Sequence, residues 1–320
     1  MNILLLQNRF SGPMKVNQID VKENMTVTNL IDQFSDSGVL GAGRVARARD
    51  LLVDMIKDDD YSIFLSLGGP LVPGGLRHVV SDMIKRGQVN VIVASGANIT
   101  HDLLESFGGS HYRDIGKDDE DLNADGIGRI ADVYTQSEDF ETFEFEITKI
   151  FEAIHDKKPQ ISIQELLYEV GCLIDDENSI LANAAKYGVP IFAPGLIDSM
   201  FGLQLWMFNQ DHDFVVDAVA DMHTLSDIVF ESEKVGGILL GGGLTKHYTL
   251  ASNILKGGLD SAIQITMDRP ESGSLSGAPL EEAKSWAKAK CGSNLATVIG
   301  DVTIVFPLIL ASAIDKVNGE

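Results

Sequence analysis

Cysteine is nearly absent: Cys172 and Cys291 are the only two in 320 residues. Two are too few for a disulfide framework, and they lack metal-ligand spacing. Both read as buried thiols, which fits a cytoplasmic setting. Basic residues are also scarce, with 25 Lys and Arg against 47 Asp and Glu and a formal charge of −22. That balance excludes the basic stripe that nucleic acid requires and the patch that an anionic membrane attracts. An acidic surface concentrates cationic ligands near a cleft, or serves solubility alone. Long apolar runs are missing too. The opening MNILLLQNRF is too short to span a bilayer and has no basic segment before it or cleavage site after it, so it reads as a strand or docking arm. There is no repeat, no low-complexity segment and no Pro/Gly/Ser linker. With 44% apolar and 22% charged residues, one globular domain over 1–320 is expected.

Residues 16–57 have apolar positions at helical intervals and a cap near Thr28. Within them GAGRVA (41–46) imitates a dinucleotide fingerprint, but no strand precedes it, so it is read as a decoy. From Tyr61 continuous apolar runs alternate with helices: YSIFLSL, VNVIVAS, VPIFAP, VGGILL, SAIQIT and ATVIGD. Such runs predict a doubly wound, mostly parallel sheet with helices on both faces. Residues 108–135 are polar and read as an irregular excursion or lid whose DDED run lacks calcium-loop spacing, so no metal is expected. Helices near 138–155, 162–171 and 176–187 form a helical insert.

In such sheets ligands bind beyond the carboxyl ends of the strands. Glycines there, at Gly68-Gly69 and Gly96, allow backbone N–H groups to approach a phosphate, although each also serves as a simple tight turn. The later strands end on Asp198, His247, a Ser/Gly loop with its lysine, and Asp301. That loop opens the stretch 273–288, GSLSGAPLEEAKSWAK. Pro279 suits a first helical turn, and Lys284 and Lys288, four apart, are expected on one helix face. A neighbouring cation disfavours protonation and is one route to a nucleophilic amine. A solvated Glu/Lys face is the plainer alternative.

Together SGAPLEEAKSWAK, GGGLTKH, PIFAPGLIDSMFG and GDVTIVFPL, with FLSLGGPLVPGGLR, VIVASGANITHD and GIGRIADVY upstream, resemble the deoxyhypusine synthase family in its archaeal or bacterial-like branch. The resemblance implies a Rossmann-like sheet, a homotetramer, and NAD held between subunits. It implies transfer of the 4-aminobutyl group of spermidine to one lysine of the precursor of the hypusine-bearing translation factor. Lys288 matches the imine-forming residue, Trp286 the wall of the substrate tunnel, Glu282 an active-site acid and His247 the histidine beside the substrate. Asn253 is carried over as a substrate contact. Asp198, Ser276, Gly277 and Asp301, with the turns at Gly68, Gly69, Ser95 and Gly96, match cofactor-contacting segments.

In that chemistry a hydride leaves the carbon beside the secondary amine of spermidine, and neutral Lys288 attacks the resulting imine. The reference lysine pKa of about 10.4 must therefore fall, and His247, near 6.5 unperturbed, suits proton transfer. Eukaryotic members anchor the polyamine with acids where this chain has Leu203, Gln204 and Leu275. Glu271 is proposed as the relocated anchor, with Asp268 and Glu282 as the other nearby acids. The loss leaves open a homospermidine synthase-type transfer to putrescine, or a non-catalytic relative that binds NAD or polyamine. Retention of Lys288, Trp286, Glu282 and His247 argues against the last.

Overall fold

Alternating side chains of a strand point to opposite faces, so a continuous apolar strand needs cover on both. The computed structural model describes residues 14–113 and 116–319; the opening MNILLLQNRF lies outside them. One sheet contains β1 Tyr61–Leu67, β2 Val91–Ala94, β3 Ile191–Phe192, β4 Lys234–Leu240, β5 Leu259–Thr266 and β6 Ala289–Ile299. These are the six runs expected as strands. Their order across the sheet is β6-β5-β4-β1-β2-β3, and every pairing is parallel.

Two cores follow from the alternation. Ile63, Leu65 and Leu67 of β1 enter one and Phe64 the other; Ile92 and Ala94 of β2 part company with Val91 and Val93 in the same way. The larger core takes the helices Leu40–Lys57 and Val302–Asn318 and the helical insert. Gly236 of β4 lets the first of these helices close in, because a Cβ there would lie 2.6 Å from Met55 Sδ. The smaller core is closed by Leu225 and Val229 of helix Asp221–Glu231, Leu250 of helix Gly243–Ser252, and Leu280 and Ala283 of the 3-10 helix Leu280–Trp286. The chain runs outward from β1 through β2 and β3, then returns to set β4 on the other side of β1. That reversal creates a crevice beyond the carboxyl ends of the two strands.

Several expectations need correction. The region 16–57 forms two helices, Val27–Ser37 capped by Thr26 and Leu40–Lys57, and residues 16–25 are not helical. GAGRVA lies inside the second helix, as its reading within a helical region expected. Residues 108–135 are not irregular: Tyr112–Arg113, Ile127–Ile130 and Val133–Gln136 make a small antiparallel sheet. Asp118 caps a short helix beside it, Asp119–Ala124, and so gives the acidic run a local role. Neither cysteine is buried. The inward stripe of helix Ile163–Leu173 ends at Val170 and Gly171, which leaves Cys172 outside, and Cys291 lies on the edge strand β6.

A buried ion network ties the insert to the helices Arg77–Lys85 and Gly96–Ser106 that follow β1 and β2. Arg77 Nε donates to Asp102 Oδ1 at 2.7 Å and its Nη2 to Asp176 Oδ2 at 2.5 Å. Asp102, fully buried, also accepts from the backbone N–H groups of Ile180 and Leu181 at 2.9 and 3.0 Å, which anchors helix Ile180–Tyr187. Removing one partner strands the other charge in the interior. Arg77→Met is therefore expected to cost about 3–5 kcal/mol, read as a lower urea midpoint at unchanged slope.

Candidate active site

Two glycine turns meet at the crevice between β1 and β4. A Cβ on Gly241 would lie 2.5 Å from the Gly68 carbonyl oxygen, and one on Gly68 would lie 2.7 Å from that of Gly242. Only glycine lets these backbones touch. Asn98 fastens the next turn: its Nδ2 donates to the Gly69 carbonyl at 2.8 Å and to Ser95 Oγ at 3.0 Å, and its Oδ1 accepts from Val72 N. Gly96 touches the turn that carries Asp198, since a Cβ there would lie 2.7 Å from Ser199 Oγ. On the other flank Ser276 Oγ accepts from Gly243 N at 2.7 Å, and Gly277 packs on the Arg269 backbone. Asp301 caps the helix Val302–Asn318 at the end of β6. The expected cofactor residues thus line one edge of the sheet from β3 to β6.

The expected substrate residues converge elsewhere, on the face of the smaller core. A cavity of 480 Å³ lies between helix Gly243–Ser252, the loop 273–279 and the 3-10 helix, and is lined by Lys246, His247, Glu282, Trp286 and Lys288. Lys288 is half-buried, and its Nζ sits 5.5 Å from the Trp286 ring centroid, within cation–π range. Burial, and then the nearby Lys288 cation, hold His247 below the ordinary histidine range, so its imidazole is neutral at neutral pH. The apolar surfaces of Leu250, Leu280 and Ala283 complete the walls. An amine nucleophile, a neutral imidazole and a carboxylate along an apolar slot suit a slender aliphatic amine.

The route by which Lys288 arrives differs from expectation. No α-helix carries Lys284 and Lys288 on one face. The seven-residue 3-10 helix stops at Trp286, Ala287 takes a left-handed φ of 54°, and Lys288 N bonds back to the Ala283 carbonyl at 2.9 Å. Lys284 does not line the cavity.

Two expected contacts fall outside it. Asn253 lies six residues beyond His247, about 240° round the helix, and is wholly buried with Nδ2 donating to the Thr249 carbonyl. Glu271 stays exposed in the short turn Pro270–Ser272, while Pro270 and Gly273 form the wall; Glu282 and Asp268 are the acids whose charge reaches Lys246. Of the positions without the eukaryotic acids, Leu275 lines the cavity, Leu203 is exposed, and Gln204 is buried with Nε2 donating to Glu144.

Lys246 is the residue the sequence reading passed over. It is 1% exposed, and its Nζ donates to the carbonyls of Leu275 and Ala278, both at 2.7 Å. Lys246, Thr249, Leu250 and Asn253 are all buried at i, i+3, i+4 and i+7, so helical periodicity would have turned this lysine inward.

The family model for deoxyhypusine synthase matches residues 29–313. The chain belongs to the deoxyhypusine synthase family. It is 60% identical over 303 residues to the "Probable deoxyhypusine synthase" of Methanothermobacter thermautotrophicus, covering 95% of this chain and 99% of that relative. A protein of the same name from Methanopyrus kandleri is 43% identical over 95% of this chain and 99% of its own length. The crystal structure of an Entamoeba histolytica protein carrying the deoxyhypusine synthase name superposes with a TM-score of 0.66 at 20% identity, over 93% of this chain and 96% of that one. That last likeness concerns the fold. The family match spans every residue that lines the lysine cavity, in a chain that is an enzyme of the deoxyhypusine synthase family.

Burial lowers the Lys246 pKa from 10.5 to about 8, against the opposing pull of Glu282 and Asp268. Between those two values the unfolded chain binds the proton and the folded one does not, so unfolding free energy rises with pH. Wild type is therefore expected to gain stability over Lys246→Met as pH climbs from about 8 towards 10.5. Urea titrations of both proteins across that window provide the check.

Proposed function

We propose that this family member transfers the 4-aminobutyl group of spermidine through Lys288 to a lysine of the precursor of the hypusine-bearing translation factor. The observation that carries the reading is Lys288 facing His247 across a slot walled by Trp286. NAD, when bound, would accept a hydride from the polyamine and later return it. The turns at Gly68–Gly69, Ser95–Gly96 and Gly242–Gly243 supply closely apposed strands for a dinucleotide, with backbone exposed at Gly69 and Gly243. Nothing lies within 4 Å of where a Gly69 side chain would project, so that turn is open to a ligand. Ser276, Gly277, Asp198 and Asp301 flank the same edge and are the polar groups we assign to it.

Within the slot, Trp286 holds a cationic chain against its ring, and Glu282 neutralises one ammonium that would be costly to bury alone. Lys288 attacks the oxidised carbon as the free amine, 1,3-diaminopropane leaves, and the butylamine group stays on Lys288 as an imine until the acceptor lysine displaces it. Neutral His247 takes the proton that Lys288 must lose. We further propose a homotetramer of single-domain subunits in the cytoplasm. Trp286 and Trp206 are 65% and 60% exposed, large apolar surfaces of the kind that other copies would cover.

The deciding assay supplies NAD, labelled spermidine and the precursor factor, with putrescine as rival acceptor. Label on one lysine of the factor is expected; label in homospermidine instead would reject this reading. Lys288→Ala is expected to remove the borohydride-trapped enzyme–spermidine adduct, and an adduct that persists would take the role from Lys288. Trp286→Ala should weaken spermidine binding about tenfold, within the ~0.5–2 kcal/mol that a cation–π contact supplies, while NAD affinity is held.

A further inference from the structure

Away from the crevice, helix Arg77–Lys85 and helix Val302–Asn318 enclose a small cavity of 190 Å³. Val79 and Met83 line one side of it, and Pro307, Leu310 and Ile314 the other. Its polar wall follows from how the first helix ends. Arg86 is the C-cap, Gly87 takes a left-handed φ of 66°, and Gln88 N bonds back to the Met83 carbonyl at 2.9 Å. Such an ending normally packs an apolar side chain, two residues past the cap, against the helix. Here that position holds Gln88, which lines the cavity and is only 8% exposed. Its Oε1 has no hydrogen-bond partner among the described residues. A bare buried amide oxygen is costly, and native chains seldom keep one without a partner from outside. A half-turn of the amide exchanges Oε1 and Nε2 in the same volume, so either can be offered to the cavity. Asp82 and Arg86, four apart on one helix face, stand exposed at the rim. Asp82 lies 3.4 Å from Lys85 Nζ, and Arg86 forms no ion pair among the described residues.

We propose that this cavity binds a small apolar α-amino acid of the size of leucine. The branched side chain fills the space between the helices; an apolar cavity of about 150 Å³ already takes up benzene. The ammonium meets Asp82 and Gln88 Oε1, and the carboxylate meets the Arg86 guanidinium. One acid, one base and one neutral amide suit a head group that carries both charges. Such a ligand has no net charge, so the −22 of the chain does not repel it. An alkyl amine would leave Arg86 unmatched, and an alkyl carboxylate would leave Asp82 and the amide unmatched. No residue of this cavity lines the lysine slot. The proposal does not rest on the transferase reading.

Calorimetric titration of the full chain with L-leucine provides the test. Saturable binding is expected, and 4-methylpentanoate, which lacks the ammonium, should bind at least about tenfold more weakly. Arg86→Gln should weaken leucine binding to a similar degree. Gln88→Leu places an apolar side chain where this helix ending prefers one, so it should melt no lower than wild type while losing leucine binding. No saturable leucine binding by wild type would overturn the proposal, whether water alone fills the cavity or a partner chain covers it. Undiminished binding in Gln88→Leu would put leucine elsewhere and overturn it too. Equal affinity for 4-methylpentanoate would overturn the two-charge head group. A clear fall in the Gln88→Leu melting midpoint would overturn the premise of an unpartnered amide.

Discussion

A lysine ammonium taken out of water needs acceptors, and Lys246 finds two in a single loop, the carbonyls of Leu275 and Ala278. Those bonds fix the loop as one wall of the cavity that holds Lys288. Gln264 adds a second pin from β5, its Nε2 donating to the Ser276 carbonyl at 2.8 Å. Ser276 Oγ in turn accepts from Gly243, at the start of the helix that carries Lys246 and His247. The loop cannot shift without breaking contacts to strand β5 and to helix Gly243–Ser252. The wall is thus set before any substrate arrives, which is what precise placement of an amine nucleophile requires.

The same helix joins the two halves of the site. Its N-cap, Gly242, belongs to the glycine seam between β1 and β4, and its first turn carries Lys246 and His247 into the slot. Ser276 and Leu275 are adjacent, one turned to the crevice edge and the other to the slot. A ligand held along the strand ends and an amine held beside Trp286 would therefore share one loop. That continuity gives the topology its functional meaning: the strand reversal creates the crevice, and the short helix leads from it to the lysine.

Much of this was legible in the sequence because its causes are local. Continuous apolar runs gave all six strands of the main sheet, and the glycine turns placed the crevice. Motif resemblance gave the family and the residues Lys288, His247, Glu282 and Trp286. What escaped depends on three-dimensional context. The 3-10 helix ending at Ala287 was hidden by a Glu/Lys pattern that also suits an α-helix. Glu271 looked like an anchor because it is acidic and close in sequence, yet a short turn keeps it outside the slot. Lys246 was overlooked because a lysine is ordinarily expected in solvent. Its spacing from Leu250 carries the information, because both fall on the buried stripe of the helix.

The account rests on Lys246 holding the loop, and backbone hydrogen exchange reads that directly. In wild type the Gly277 and Ala278 amides are bonded within the loop, to Ser274 Oγ and the Ser274 carbonyl. In Lys246→Met those two amides should exchange markedly faster while the amides of β4 and β5 keep their protection. Unchanged exchange at Gly277 and Ala278 in a folded variant would contradict the claim that the buried ammonium sets the wall.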